Sequence, residues 1–146
     1  MVILFDKFNL PDDIYETVFA TKQQVIVAKL LVRYMKENGS QIGKTEMSLF
    51  ATKLHEGNLI TEIDEAPYSG KKVKISYNKR QFYDRILTPM KSMGIIDYNL
   101  YSKTYKLSES FNKELLRIGL QWVQELRRPP MDFKKKSTGP RLPGME

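Results

Sequence analysis

The sequence predicts a mainly α domain carrying a small β-hairpin, an α+β fold, on three observations. Apolar residues recur at helical spacing in four stretches, each opened by a capping residue or closed by a glycine or proline. Residues 95–107 alternate instead, around a polar turn. From Pro129 onward proline, glycine and charge dominate and no periodicity survives.

Residues 1–20 read as an N-terminal arm, in which Pro11, Asp12 and Asp13 start a short helical turn through Phe19. Thr21 resembles an N-cap, and Gln24 three residues later completes a capping box. The helix over 22–38 sets Val25, Ala28, Leu31, Val32 and Met35 on one face, widened by Ile26, Val27 and Leu30, so it is central to the core. Asn38-Gly39 stops it, and residues 40–43 suffice for a one-bridge strand. A second helix over 45–55 uses Met47, Phe50, Ala51 and Leu54 as its buried stripe and ends at Gly57.

Residues 58–76 read as an excursion on the surface. Pro67, Ser69 and Gly70 mark a loop there, while Val73 and Ile75 alternate with lysines like a short strand. A third helix opens at Ser76 or Asn78, with Phe82, Ile86, Met90 and Met93 as its stripe and Gly94 as its stop. Pro89 removes a helix bond and biases Thr88 away from helical angles, which predicts a kink or break near residue 88. Strands over 95–99 and 103–107 make the hairpin. Ser108 or Ser110 caps a final helix to Arg127, with Phe111, Leu115, Ile118, Trp122 and Leu126 on one stripe and Leu116, Leu120 and Val123 beside it.

The net charge of +7 is unevenly placed. Residues 1–67 carry seven Lys/Arg against ten Asp/Glu, residues 68–108 nine against two, and residues 109–146 eight against five. A basic block on a helix–hairpin unit is the pattern of a polyanion-binding surface; the plainer reading is a solvated lysine-rich face. With no cysteine there is no disulfide, thiolate metal site or thiol nucleophile. No apolar run approaches a membrane span, and MVILFDKF lacks the basic start and long apolar core of a signal peptide, so an intracellular, cytoplasmic location is expected.

Catalysis finds little support. His55 is the single histidine and falls at a helix end, where a structural or solvated role is expected. Glu62, Asp64 and Glu65 form the one tight carboxylate cluster, more in keeping with a solvated loop than with a metal-dependent nuclease. GSQIGKT, residues 39–45, is one residue short of phosphate-loop spacing. No catalytic residue, metal or cofactor is expected.

The order helix, short strand, helix, helix, strand, basic turn, strand, helix resembles the winged helix-turn-helix family. The most specific local match is RILTPMKSMGIIDYN followed by TYKLS, in which Ile86, Met90 and Met93 lead to Gly94 and the paired Ile95 and Ile96. The resemblance covers residues 21–127 and implies a winged-helix domain with an added C-terminal helix, between the arm at 1–20 and a flexible basic tail at 128–146. The family's two central helices are joined by a 3–4-residue turn, whereas about 20 residues separate His55 from Asn78 here.

By that resemblance, Lys79, Arg80 and Tyr83 would face the major groove of double-stranded DNA. Tyr77 and Asn78 would meet phosphate at the helix N-terminus. Tyr101, Lys103 and Lys106 of the wing would reach phosphates or the minor groove. The function implied is a nucleoid-associated transcriptional regulator. The competing class is an adaptor in a replication, transcription or segregation assembly, whose basic, tyrosine-rich face meets an acidic protein partner. The double stripe of the final helix has two readings: simple packing on the hairpin and first helix, or a homodimer interface through Leu115, Ile118, Trp122 and Val123. Trp122 is expected to be buried in or beneath that seam, and the matching DNA would be a near-palindrome.

Overall fold

A computed structural model of the chain describes residues 6–62, 70–133 and 139–144. It is α+β, with helices and two small antiparallel sheets, and divides into two compact units, residues 1–113 and 114–146.

In the first unit α1 (Ile14–Val18) starts at Asp13, whose carboxylate accepts from the Glu16 N–H at 2.9 Å. This is the short helical turn expected in the N-terminal arm, and it packs inward: Phe19 is buried, and Tyr15 and Val18 lie against the core. α2 (Lys22–Glu37) opens on the expected capping box, in which the Thr21 hydroxyl accepts from Gln24 N–H at 3.2 Å and the Gln24 side-chain Oε1 accepts from Thr21 N–H at 3.4 Å. Val27, Ala28, Leu31 and Met35 of α2 are fully enclosed, which makes it the centre of the core.

Gly39 and Ser40 both take left-handed angles, so the chain reverses directly into β1 (Gln41–Gly43). Ser40 N–H bonds the Met35 carbonyl at 2.8 Å, and the Ser40 carbonyl accepts from Leu107 at 3.0 Å. β1 therefore becomes a full edge strand. It pairs Gln41, Ile42 and Gly43 with Lys106, Tyr105 and Thr104 in a sheet of order β1-β5-β4, where β4 is Ile96–Asn99 and β5 is Thr104–Leu107. Alternation sends Ile42, Ile96 and Tyr105 into the core. α3 (Lys44–Glu56) follows β1 directly, buries Met47, Phe50, Ala51 and Leu54 as expected, and ends on left-handed Gly57.

Two expectations are corrected here. The excursion after α3 contains a hairpin of β2 (Leu59–Glu62) and β3 (Lys72–Ile75), with Leu59 opposite Ile75 and Thr61 opposite Val73 on the side packed toward the core. Arg33 of α2 fixes it, donating to the Glu62 carbonyl at 3.0 Å. Of the acid cluster, Glu62 lies exposed opposite Lys72, while Asp64 and Glu65 fall outside the described residues, as do Pro67 and Ser69 of the expected loop.

The second correction concerns Pro89: the third helix does not break there but changes type at Thr88. The chain stays helical from Lys79 to Ser92 by changing type: α4 (Lys79–Gln81), a π-helical segment (Phe82–Leu87), then α5 (Thr88–Ser92). A proline ring in an α-helix meets the carbonyl four residues back. Widening the turn relieves that clash, and Thr88 secures the join by directing both its N–H and its hydroxyl (2.8 Å) to the Tyr83 carbonyl. Phe82, Ile86, Leu87 and Met90 are buried, but Met93, at the end of α5, is exposed.

Gly94 then turns the chain into β4 with φ +80°. A Cβ there would lie 3.1 Å from Ser110 Cβ, whereas at Gly39, with φ +78°, it would meet nothing within 4 Å. Gly39→Ala should cost about 1 kcal/mol for the left-handed backbone alone, and Gly94→Ala about 2 kcal/mol or more because contact strain is added. Urea unfolding of the two variants checks the order; equal losses would show that Ser110 yields freely.

Candidate functional site

The basic block of the sequence maps onto residues 79–92 and the β4–β5 hairpin. Asn78 caps this helix, its side-chain carbonyl accepting from Gln81 N–H at 3.0 Å. Ser48, Thr52 and His55 stand at i, i+4 and i+7 on α3, hence on one face, and all three engage Lys79. Its backbone N–H donates to His55 Nδ1 at 3.1 Å, which gives His55 a structural role. Its ammonium donates to Thr52 Oγ1 at 3.0 Å and Ser48 Oγ at 3.3 Å. Thr52 spends its own proton on the Ser48 carbonyl at 2.9 Å, which leaves its lone pairs for the ammonium.

Several expected contacts change with this geometry. Lys79 is half-buried and ties α3 to the helix start instead of pointing outward. Tyr77 is only 6% exposed and belongs to the core, so its side chain cannot meet a phosphate there. Tyr83 is half-buried too, its ring edge-on to Phe82 at 5.5 Å. Asn78 is exposed but uses its carbonyl as the cap.

What remains on the surface is more basic than aromatic. The Arg80 side chain is 91% exposed, with a loose 3.8 Å contact to Asp84; such an exposed pair constrains it little. Arg85, which helical spacing places off the apolar stripe, is exposed and makes no ion pair among the described residues. Helical periodicity sorted it only as lying off the stripe, a property shared with many solvated cations.

The hairpin tip is fixed by Asn99, whose side-chain carbonyl accepts from Tyr101 N–H at 2.9 Å and Ser102 N–H at 3.2 Å. Lys103 closes the turn at φ +53°. Tyr101 is wholly exposed, and Lys103 stands free beside the turn. Lys106 is exposed on the outer sheet face but lies across the strands from Asp97, which weakens its claim as an unopposed cation. An open groove of about 670 Å³ runs over this face, lined by amide, hydroxyl and carboxylate groups including Gln41, Asn99 and Thr104.

Beneath the hairpin Tyr98 and Tyr105 face each other with ring centroids 4.6 Å apart, and the Lys91 ammonium lies 5.4 Å from the Tyr98 ring. These rings couple the sheet to residues 79–92.

In the second unit every residue of α6 (Ser110–Arg127) from Glu114 onward is exposed. The proposed seam residues Leu115, Ile118, Trp122 and Val123 share that exposure. Trp122 is 62% exposed in the single chain; the burial expected for it belongs to a seam with a second copy. Lys134, Lys135 and Lys136 of the basic tail lie outside the described residues. Among the described residues no group of three or more His, Asp or Glu side chains is placed to hold a metal ion, and no helix is long and apolar enough to cross a membrane.

Comparison with family models, curated proteins and solved structures returns no match to this chain.

Burial raises the Tyr105 phenol above its ordinary value of 10.0, with smaller contributions from Tyr83 and Tyr98. A group whose folded pKa is raised contributes stability in full below the unfolded pKa and loses it as pH rises through the folded one. Stability should therefore fall as pH rises past the ordinary value of 10.0 toward the raised folded one, and Tyr105→Phe should flatten that fall while leaving neutral stability little changed. Urea midpoints across this range test it; an unaltered alkaline limb would acquit Tyr105.

Proposed function

We propose that the chain is a winged helix-turn-helix protein that binds double-stranded DNA as a homodimer, in transcriptional regulation on the nucleoid. On this reading α2, α3 and residues 79–92 are the three helices, residues 79–92 the recognition helix and β4–β5 the wing. β2–β3 is then an insertion in the helix-turn-helix connection.

One observation carries the reading. Arg80, Arg85, Lys91, Lys103 and Lys106 are exposed on the helix and hairpin, against only Asp84 and Asp97 among their acidic neighbours. A duplex carries one negative charge per ~1.7 Å of axis, so such a surface gains affinity by releasing counterions. Arg80 and Arg85 have planar forks suited to guanine edges as well as phosphate. Tyr101, held out by the Asn99 turn, suits sugar and minor-groove contact. Lys79 and Tyr77 act as supports that fix where the helix begins.

Duplex binding followed by fluorescence anisotropy over a salt series tests the proposal. The logarithm of affinity should fall steeply against log salt, by roughly 0.9 per phosphate engaged. Arg80→Ala with Arg85→Ala should weaken binding about tenfold or more and reduce the slope by about two contacts, with circular dichroism unchanged. Affinity that ignores both salt and the double variant would overturn the DNA reading and turn the search toward an acidic protein partner.

A further inference from the structure

The second unit carries an apolar surface with a gap at its centre. Seven apolar side chains of α6 between Leu115 and Leu126 stand 38–66% exposed. Together they expose an apolar surface on the order of several hundred Å², a size that on a monomer is often functional. At 3.6 residues per turn, Gly119 shares its face with Leu115, Trp122, Val123 and Leu126, and so lies mid-stripe.

Nothing among the described residues explains that glycine. A Cβ at Gly119 would meet nothing within 4 Å, and the position has no left-handed backbone to accommodate. Yet glycine in a helix interior is clearly less favourable than alanine. A residue that weakens its own helix and relieves no internal clash fits an approach from outside, where a missing side chain admits another backbone.

The charges at the stripe's border indicate what approaches. Glu114 and Glu125 lie on the same flank, five residues before and six after Gly119, while Arg127 lies on the opposite flank. An antiparallel partner crossing at Gly119 would set the Glu114–Arg117 pair of each copy beside the Glu125–Arg128 pair of the other, with no unlike flank to meet. A parallel pair about a two-fold axis instead brings unlike flanks together, with Glu125 beside Arg127 of the second copy. Arg117 and Arg128, already bound to these glutamates at 2.9 and 3.4 Å, stay on the outer side.

We infer that two copies of the chain pair in parallel through α6, in register, with their closest approach at Gly119 and Trp122 packed beside it. This deepens the homodimer of the proposed reading and is independent of its DNA contact, because association is measured without DNA.

Sedimentation equilibrium of the full chain at micromolar concentration should give twice the chain mass. Gly119→Ala separates the explanations by sign. If the glycine is incidental, alanine strengthens the helix and leaves association equal or tighter; if it is the point of approach, association weakens about tenfold or more although the helix is more stable. The chain has no cysteine, so single replacements report orientation directly. Leu126→Cys should oxidise to a disulfide-linked dimer in a parallel pair and stay reduced in an antiparallel one crossing at Gly119. A monomeric native mass, undiminished association of Gly119→Ala, or failure of Leu126→Cys to cross-link while the dimer persists would each overturn the proposal.

Discussion

Pro89 lies where residues 79–92 pack against both α2 and the β4–β5 hairpin, and its missing N–H constrains what that helix can present. An unbroken α-helix would place the ring against the carbonyl of Arg85. Stopping the helix at residue 88 would remove Met90, a fully enclosed core residue. The π-helical segment resolves the conflict by keeping the axis continuous while the turn widens. Phe82, Ile86, Leu87 and Met90 all remain inside, and Tyr83 is drawn partly inward onto Phe82 and the core. That placement lets Tyr83 act on the Tyr98 and Tyr105 pair beneath the hairpin, where it helps raise the Tyr105 pKa.

The same helix is fixed at its start by polar contacts in place of apolar ones. Lys79 spends its ammonium on two hydroxyls of α3 and its N–H on His55, and neither cancels its charge. The cation is anchored yet still contributes to the local potential, which suits a residue that supports a basic surface without touching the ligand. Arg80 and Arg85 carry no comparable anchorage. On the proposed reading this divides the cations between those that position the helix and those free to reach a phosphate.

Much of the fold was legible from caps and periodicity. Thr21 with Gln24, Gly57, Asn78 and Gly94 act where their chemistry places them, because a cap is a local hydrogen-bond pattern that distant parts of the chain seldom override. β2 was not legible. Only Leu59 and Thr61 of its four residues face inward, and its partner lies beyond a long connection with no tight-turn signal. The candidate site was legible in composition more than in detail. Charge counting located the basic surface, but burial of Tyr77 and capture of Lys79 depend on where α3 lies, which residues near Asn78 do not encode. Helical spacing likewise could not foresee the π segment, which inserts a wider turn that a 3.6-residue period has no means to express.

α6 poses the reverse problem, since its pattern was plain while the object it faces was absent. A stripe wide enough for two neighbours, left exposed from Leu115 to Leu126, is costly for one chain to keep in water. Gly119 narrows the explanation, because membrane-like or loosely collapsed contacts gain nothing from a notch at one height, whereas a helix crossing at that height does. The glutamates at its two ends then make direction matter, and parallel pairing follows from their spacing. Direction bears in turn on the proposed function. The covalent chain enters α6 at Ser110 in both copies, so a parallel pair brings the two entry points to one end of the seam. An antiparallel pair would separate them by the helix length, about 27 Å for 18 residues. A two-fold axis running along the seam relates the two basic surfaces by the same symmetry that a near-palindromic duplex site possesses. On the proposed reading, the glycine that loosens one helix also sets two copies in the symmetry of a single duplex site.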